Sequence, residues 1–489
     1  MLVLVLAGLL YVFTCAPAIL WQDSGLFVYR IWHNDIEGDL GIALSHPLYV
    51  MIGIAVKYIP FGDLAHRINL ISAVFGAIAV ANLFVLLRLW LGRVMPAIVG
   101  AATLAVSWTF WSNAVIAECY TLFAAQFFLE LILLLQYVRT KRVGYLYLLG
   151  LVNGLTIANH LWGVFGLLCY AVLCFVLLAH RQIKWKHFGI VILLWIIGAA
   201  PYEYLVVKNL LISGDVGGTL ASAFFGASWQ NSVLNTALSA KIVFENIVFI
   251  LLNFPTPNFV LLFAGLWLIC KKTTDRVFAN VVLVLVLMHF AFAFRYTVPD
   301  RHVFFLPFYC LAAVVVGLGA EFVLSRFSSR AVLVAVTVFA FLPAAAYAVM
   351  PEIGRRYYKP LAERRQRPYR DEYKYWLQPW KTGYRGAERF ANEALDLVEE
   401  NAIIYAYTTD VHALLYLQEV KGKRKDVRIT SYTNRSANAA DIGKGVGCDS
   451  ANSAAVYVVS PIKGYCPDFI LEDYDFVKEG VLYRAVTRN

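Results

Sequence analysis

The sequence predicts a polytopic α-helical membrane protein carrying a C-terminal extracytoplasmic α/β domain. Three observations carry that expectation. Of 489 residues, 60% are hydrophobic and 15% charged, against about 25% charged in soluble domains, and the mean hydropathy is +0.65. Stretches of roughly 20 apolar residues, the length that crosses a bilayer as a helix, succeed one another from Met1 to about Met350. From PEIGRRYYKPLAERRQRPYRDEYKYW onward the composition turns polar and stays so to Asn489. Residues 1–350 are therefore expected to form the transmembrane domain and residues 351–489 the soluble one.

The charges give the orientation. Basic residues gather in short turns: Arg88 with Arg93, Arg139 with Lys141 and Arg142, Arg181 with Lys184 and Lys186, Lys271 and Lys272 with Arg276, and Arg326 with Arg330. Asp275 is the exception among them. The alternate loops hold the acids, among them Asp23, Asp35, Glu37, Asp39, Asp63, Glu118, Asp215, Glu245 and Asp300. Under the positive-inside rule the basic turns are cytoplasmic and the acidic loops face outward. The net charge of +10 is thus an orientation signal, and nucleic acid is not an expected partner. About eleven spans fit between these turns, with the polar tail outside.

Element by element, MLVLVLAGLLYVFTCAPAIL is expected to be a retained first span; a signal peptide ending near CAPA is the alternative, although a basic n-region is missing. HPLYVMIGIAVKYIP is too short to cross and reads as a half-buried or surface helix. ENIVFILLNFPTPNFVLLFAGLWLIC contains Pro255 and Pro257, which are expected to break it into an outer helix and a span. In the tail, RGAERFANEALDLVEENA and VHALLYLQEV have helical spacing, while AIIYAY, DVRITSY, AAVYVVS and FVKEGVLYRAV are strand-like. Such alternation favours a layered sheet with helices. GKGVGC reads as a loop rather than a nucleotide fingerprint.

Six cysteines, Cys119 among them, lie in or beside apolar segments, where a thiol behaves as a small hydrophobe. Cys448 and Cys466 stand in the tail, where a disulfide is plausible in an extracytoplasmic domain. CxxC pairs and HExxH are absent, so no metal site is signalled, although a divalent ion remains open. GxxxxGK[ST] is absent too, and the cytoplasmic connections are too short for a nucleotide-binding domain. An enzyme built this way draws its activated substrate from the membrane.

Candidate residues follow from the outward loops. Asp23 is either a solvated loop or cap residue or a partly desolvated carboxylate whose pKa is raised towards that of a useful base. Glu118 is expected to be the lone acid of an aromatic and aliphatic neighbourhood, a functional position by default, with a structural hydrogen bond as the alternative. His160, beside Asn159, is a core histidine or a ligand contact. Arg295, Arg301 and His302 crowd FRYTVPDRHVFFLP, where guanidinium forks suit a phosphate and pairing with Asp300 is the alternative.

Taken in order, DSG at residues 23–25, HPLY at 46–49, RINLISAVFGAIA, FWSNAVIAECYTL, GLTIANH, YTVPDRHVFFLP, YWLQPWKTGYRGA and YLQEVKGKRKDV resemble a broad, largely bacterial family. That family also contains a eukaryotic endoplasmic-reticulum O-mannosyltransferase acting on plexins and related receptors. It belongs to the C-fold (GT-C) glycosyltransferases, multi-span enzymes that use polyprenyl-phosphate sugars. The resemblance implies a GT-C-like membrane domain, Asp23 in the catalytic position, and location in a bacterial inner membrane. It also implies an inverting displacement in which a carboxylate deprotonates an acceptor hydroxyl of a protein, glycan or lipid while the lipid phosphate leaves. Two departures stand out. Leu26 follows DSG where the family often has Glu, and its HPPGYPLY is contracted to His46, Pro47, Leu48 and Tyr49. A second acid is therefore sought at Glu37, Asp39 or Glu118; His46 and Tyr49 join the first-loop acids as acceptor-side candidates, and Arg301, His302, Arg295 and His160 are the candidates for the donor phosphate. The competing class is a transporter or lipid flippase with Glu118 and the histidines in an ion path; a convincing internal repeat, which would favour it, is missing.

Overall fold

The computed structural model describes residues 1–226, 229–271, 274–298, 300–361, 363, 365–432 and 454–488. The apolar part is built from α1 (Leu2–Thr14), α2 (Gln22–Trp32), α3 (Pro47–Lys57), α4 (Leu64–Leu91), α5 (Val94–Ala105), α6 (Trp108–Ala114), α7 (Tyr120–Thr140), α8 (Gly144–Asn159) and α9 (Gly163–Ala179). It continues through α10 (Trp185–Ser213), α11 (Val216–Phe225), α12 (Gln230–Val233), α13 (Ala240–Asn253), α14 (Val260–Lys271), α15 (Arg276–Arg295), α16 (Leu306–Arg326), α17 (Arg330–Phe341) and α18 (Pro343–Tyr357).

By length and hydropathy α4, α7, α10, α15 and α16 are each able to cross a membrane; the bent pairs α5–α6 (67°), α13–α14 (112°) and α17–α18 (47°) pass the same test only when each is counted as one broken span. Among the described residues the shorter apolar helices are α1, α3, α9 and α11. The sharpest bend falls at Pro255 and Pro257, whose missing N–H groups end α13 as expected. α3 is a half-buried helix of 11 residues. At the centre α16 is the most enclosed helix, and the close approach is made by glycine: a Cβ on Gly319 would sit 1.9 Å from the Leu261 carbonyl oxygen, and one on Gly265 2.0 Å from that of Val315. Small residues let apolar helices touch backbone to backbone where no hydrophobic force drives them together.

The basic turns meet at one end. Arg139 donates to Asp275 at 2.7 Å and to the Leu89 and Trp90 carbonyls, tying three of those turns together. Two acids pair with basic residues there, Asp275 with Arg139 and Glu321 with Arg93 at 3.4 Å. The opposite end carries Asp23, Glu118, His160 and Asp300.

The polar part begins within α18, which runs through residue 350, and continues with α19 (Glu372–Leu377), α20 (Gly386–Leu397), β1 (Ile403–Tyr407), α21 (Thr408–Leu415), β2 (Arg428–Tyr432), β3 (Val456–Val458), α22 (Asp468–Asp473), β4 (Tyr474–Glu479) and β5 (Leu482–Thr487). The sheet order is β2-β1-β3-β5-β4; β1 is parallel to both neighbours, and β5 pairs antiparallel with β3 and β4. FVKEGVLYRAV is thus a hairpin turning at Gly480 (φ 52°), not a single strand. GKGVGC and Cys448 lie outside the described residues; Cys466 is buried.

This domain shares one apolar core with the first helices: Trp21, Phe27 and Ile31 pack with Phe390, Val411 and Leu414. Polar ties reinforce the seam. Trp21 Nε1 donates to Tyr384 Oη at 2.7 Å, Tyr416 Oη donates to Asp63 at 2.9 Å and Lys421 pairs with Asp63 at 2.6 Å.

Candidate active site

Each residue of DSG has its own task. Asp23, in the first turn of α2, faces open space. Ser24 is buried and its Oγ accepts the Ala117 N–H at 3.0 Å, fixing the loop that carries Glu118. Gly25 is where α2 meets the C-terminal polar part: a Cβ there would lie 2.7 Å from the Leu20 carbonyl oxygen and 3.1 Å from His412 Cβ. The preceding Gln22 holds a left-handed backbone (φ 59°), a conformation that for a non-glycine residue marks a constrained, often functional, site.

The Glu118 loop is held from three sides. Ser72 Oγ on α4 accepts the Glu118 N–H at 3.0 Å and donates to the Glu118 carbonyl at 2.9 Å. Asn159 on α8 donates to the Cys119 carbonyl at 3.0 Å. Tyr49, fully buried, hydrogen-bonds Ser72 Oγ at 3.2 Å, so it supports this loop rather than facing open space. Glu118 is not the only acid of its stretch: Glu130, on the same strongly apolar segment, is wholly buried among Thr156, Asn153 and Tyr170, with Tyr170 Oη donating at 3.1 Å.

Two cavities meet at these carboxylates. The larger, of about 410 Å³, is walled by Leu26, Phe224, Phe225, Trp229, Phe292 and Phe304, and Arg30, His46 and His160 also line it. The smaller, of about 90 Å³, reaches the C-terminal polar part and is lined by Trp108, His302, Trp376 and Lys381. Asp23, Glu118, Tyr120 and Asp300 line both. Burial, helped by the Asp300 carboxylate, pushes the Asp23 carboxyl up to about 6, although Asp23 remains open to the cavities. Burial raises Glu118 further above its ordinary range, with Asp23 and Asp300 adding to the effect. A carboxylate poised near neutrality is suited to take a proton from a hydroxyl.

His46 and His160, both lining the larger cavity, stack with ring centroids 5.0 Å apart. His46 sits at the start of α3 with a left-handed backbone (φ 47°, ψ 49°) immediately before Pro47. Burial keeps both imidazoles neutral, with His46 lowered to about 4 and His160 lowered as well. His302 lies against Trp108 and Trp376 in the smaller cavity.

The remaining candidates stand elsewhere. Arg301 is buried against α13, pairing with Glu245 and donating to Asn246 at 2.8 Å, and it lines neither cavity. Arg295 donates to the carbonyls of Val233 at 2.6 Å and Asn235 at 2.8 Å; since Val233 lines the larger cavity, Arg295 holds its wall. Asp300, the expected partner of these arginines, faces the cavities. Glu37 pairs with Lys208 at 2.6 Å and Asp39 is exposed.

Arg30 and Lys381 are at the site without having been singled out by sequence. Arg30, 4% exposed, donates to the Ser45 carbonyl at 2.8 Å and the Asp35 carbonyl at 3.3 Å. A lone arginine inside the apolar run LFVYRIW was the available signal, by the same reasoning that marked Glu118. Lys381, pushed down to about 7 by burial and then by Arg370, donates to the Gln378 carbonyl at 2.9 Å; its context, PWKTGY, gives no such signal.

Residues 45–186, which include the His46, Glu118 and His160 segments, match the family model described as the Protein O-mannosyl-transferase TMEM260 N-terminal domain. The chain has a GT-C-like fold. Its fold is similar throughout to that of ArnT from Cupriavidus metallidurans bound to undecaprenyl phosphate, at 13% identity, with 99% of this chain and 97% of that one covered and a TM-score of 0.61. The apo state of the same ArnT gives a TM-score of 0.60 at equal identity and coverage. An archaeal oligosaccharyltransferase, AglB from Archaeoglobus fulgidus in complex with an inhibitory peptide and a dolichol-phosphate, covers 86% of this chain and 63% of its own at 14% identity, with a TM-score of 0.47. The chain therefore shares its architecture with ArnT across both its apolar and its polar parts.

Proposed function

We propose that the protein moves a sugar from a polyprenyl-phosphate donor to an acceptor hydroxyl at the extracytoplasmic face of a bacterial inner membrane. The observation that carries this reading is the meeting of two unequal cavities at Asp23 and Glu118. The larger, aromatic and apolar, suits a prenyl chain leading its phosphate towards Arg30 and His46. The smaller, with more polar walls, suits the acceptor. ArnT, whose fold this chain shares, is known with undecaprenyl phosphate bound, which supports a lipid-phosphate donor.

Asp23 takes the proton of the acceptor hydroxyl; that oxygen bonds to the anomeric carbon, the carbon–oxygen bond to phosphate breaks, and the polyprenyl phosphate leaves with its negative charge. One displacement inverts the configuration. Arg30 offers guanidinium N–H groups beyond the two given to backbone carbonyls, and a charge-assisted contact to the departing phosphate is about twice as strong as a neutral hydrogen bond. Glu118 orients the acceptor. Arg301 and Arg295 act at one remove, as braces of the walls. In the test, purified protein is given a polyprenyl-phosphate sugar or a nucleotide sugar with no membrane gradient. Consumption of the lipid-linked sugar alone is expected; turnover of the nucleotide sugar alone would overturn the donor assignment.

A further inference from the structure

Cys119 reads as a small apolar filler in the sequence, yet it stands between two imidazoles. One ligand atom each of His46, Cys119 and His160 lies within 4.8 Å of the other two. The three come from separate parts of the chain: the start of α3, the α6–α7 connection and the α8–α9 connection. We propose that they form a zinc-type metal site whose open position faces the larger cavity.

The surroundings orient the ligands as metal sites require. The Asn159 carbonyl is 2.8 Å from His46 Nδ1; that ring nitrogen must carry the proton, and Nε2 keeps its lone pair. The Asn159 side chain donates to the Cys119 carbonyl at 3.0 Å, so one residue fixes two ligands and directly precedes the third. His160 Nδ1 accepts the Trp162 N–H at the long distance of 3.2 Å, a contact a metal at Nδ1 would replace. The Trp162 ring, 3.9 Å from the His160 centroid, holds the imidazole plane. The left-handed backbone of His46 is strain that aims its ring at this point.

Two imidazoles and one thiolate are a borderline-soft set suited to Zn(II), and three protein ligands with a fourth position open is the arrangement of zinc sites that bind a reactant. His46 and His160 line the cavity, which places that fourth position there. Binding forms the S–Zn bond and releases the thiol proton to solvent. The resulting net positive charge is offset by Glu118 and Asp23 and opposed by Arg30, all within electrostatic range of Cys119. The metal site is independent of the transfer reading; only its use, holding a donor phosphate oxygen, rests on it.

The full chain, purified in detergent, is loaded with Zn(II) and dialysed, its zinc is counted by atomic emission, and a Co(II)-loaded sample is scanned. One metal per chain and a thiolate-to-cobalt charge-transfer band are expected. Cys119→Ser loses the band, and Asn159→Ala, with all three ligands intact, binds zinc about 10–100-fold more weakly. Should Cys119→Ser fail to fold, His46→Gln serves instead, keeping the thiolate band but weakening binding. Wild-type protein that retains no zinc and shows no thiolate band, or a band that persists in Cys119→Ser, overturns the site. No donor is present, so the outcome does not depend on whether sugar transfer occurs.

Discussion

Asp23→Asn keeps the size and hydrogen-bonding shape of the side chain but cannot take a proton. Turnover should fall by about 10²–10⁴, the range for loss of a general base, while donor binding persists. Stability should move the other way. Burial raises the folded-state carboxyl from 3.8 to about 6, so the folded protein holds the proton more tightly than the unfolded chain does. The cost of ionising Asp23 is absent below the unfolded value, grows as pH rises through the interval and is constant above about 6. At about 1.36 kcal/mol per pH unit, a sealed carboxyl would cost about 3 kcal/mol. Water reaches Asp23 through the cavities, and screening reduces the cost to about 1 kcal/mol. Asp23→Asn should therefore be more stable than wild type by about that amount at neutral pH and equal to it at low pH, as read by thermal unfolding. In initial-rate assays with a polyprenyl-phosphate sugar, wild-type kcat/KM should rise with pH through a midpoint near 6. Near-normal turnover in Asp23→Asn, or a wild-type profile without that limb, would refute the assignment of the base.

Glu118→Gln should lower turnover and weaken acceptor affinity together; a dead Glu118→Gln that still binds donor, beside an active Asp23→Asn, would exchange the two roles. Arg30→Lys keeps the charge and loses the fork, so donor KM should rise by about tenfold or more, as a charge-assisted contact worth about 1.5–3 kcal/mol is impaired. Arg301→Ala should instead reduce thermal stability through its lost contacts to Glu245 and Asn246, leaving donor KM unchanged in the folded protein. Gly25→Ala places a Cβ against the Leu20 carbonyl and His412; overpacking of this kind costs about 1–3 kcal/mol and should reduce turnover by tilting α2. Single cysteines near Gly217 and Arg142, in a chain without native thiols, should differ in intact spheroplasts: an impermeant reagent labels the first and spares the second, and the reverse pattern would invert the topology.

The architecture was legible because hydropathy and charge each repeat along the chain. Apolar runs give the helices, the basic turns give one end, and Pro255 with Pro257 gives the sharpest bend. Asp23 and Glu118 stand out in the sequence as acids beside apolar segments, but nothing in the sequence separates Glu118, which lines the cavities, from Glu130, which is wholly buried among side-chain partners. The larger misses have a common physical cause. Arg301 and Arg295 have the right chemistry for a phosphate, but which way a guanidinium turns depends on carbonyls and carboxylates brought in by α13 and the 233–235 loop. Sequence spacing says nothing of those partners. Arg30 and Lys381 reach the site through tertiary packing, the latter from a domain whose seam with α2 is written in no local pattern. Cys119 has the sequence context of a core thiol; only the fold sets two histidines beside it. Tyr49 sits in a motif with His46, yet one faces a cavity and the other a serine on α4.

The most direct test of the central claim is a cryo-electron microscopy structure of Asp23→Asn with a polyprenyl-phosphate sugar bound. The prenyl chain is expected between Phe224, Phe225, Phe292 and Phe304, the phosphate at Arg30 and His46, and the anomeric carbon facing residue 23 where the two cavities meet. A chain seated outside that cavity, or a sugar held away from both residue 23 and Glu118, would contradict that claim.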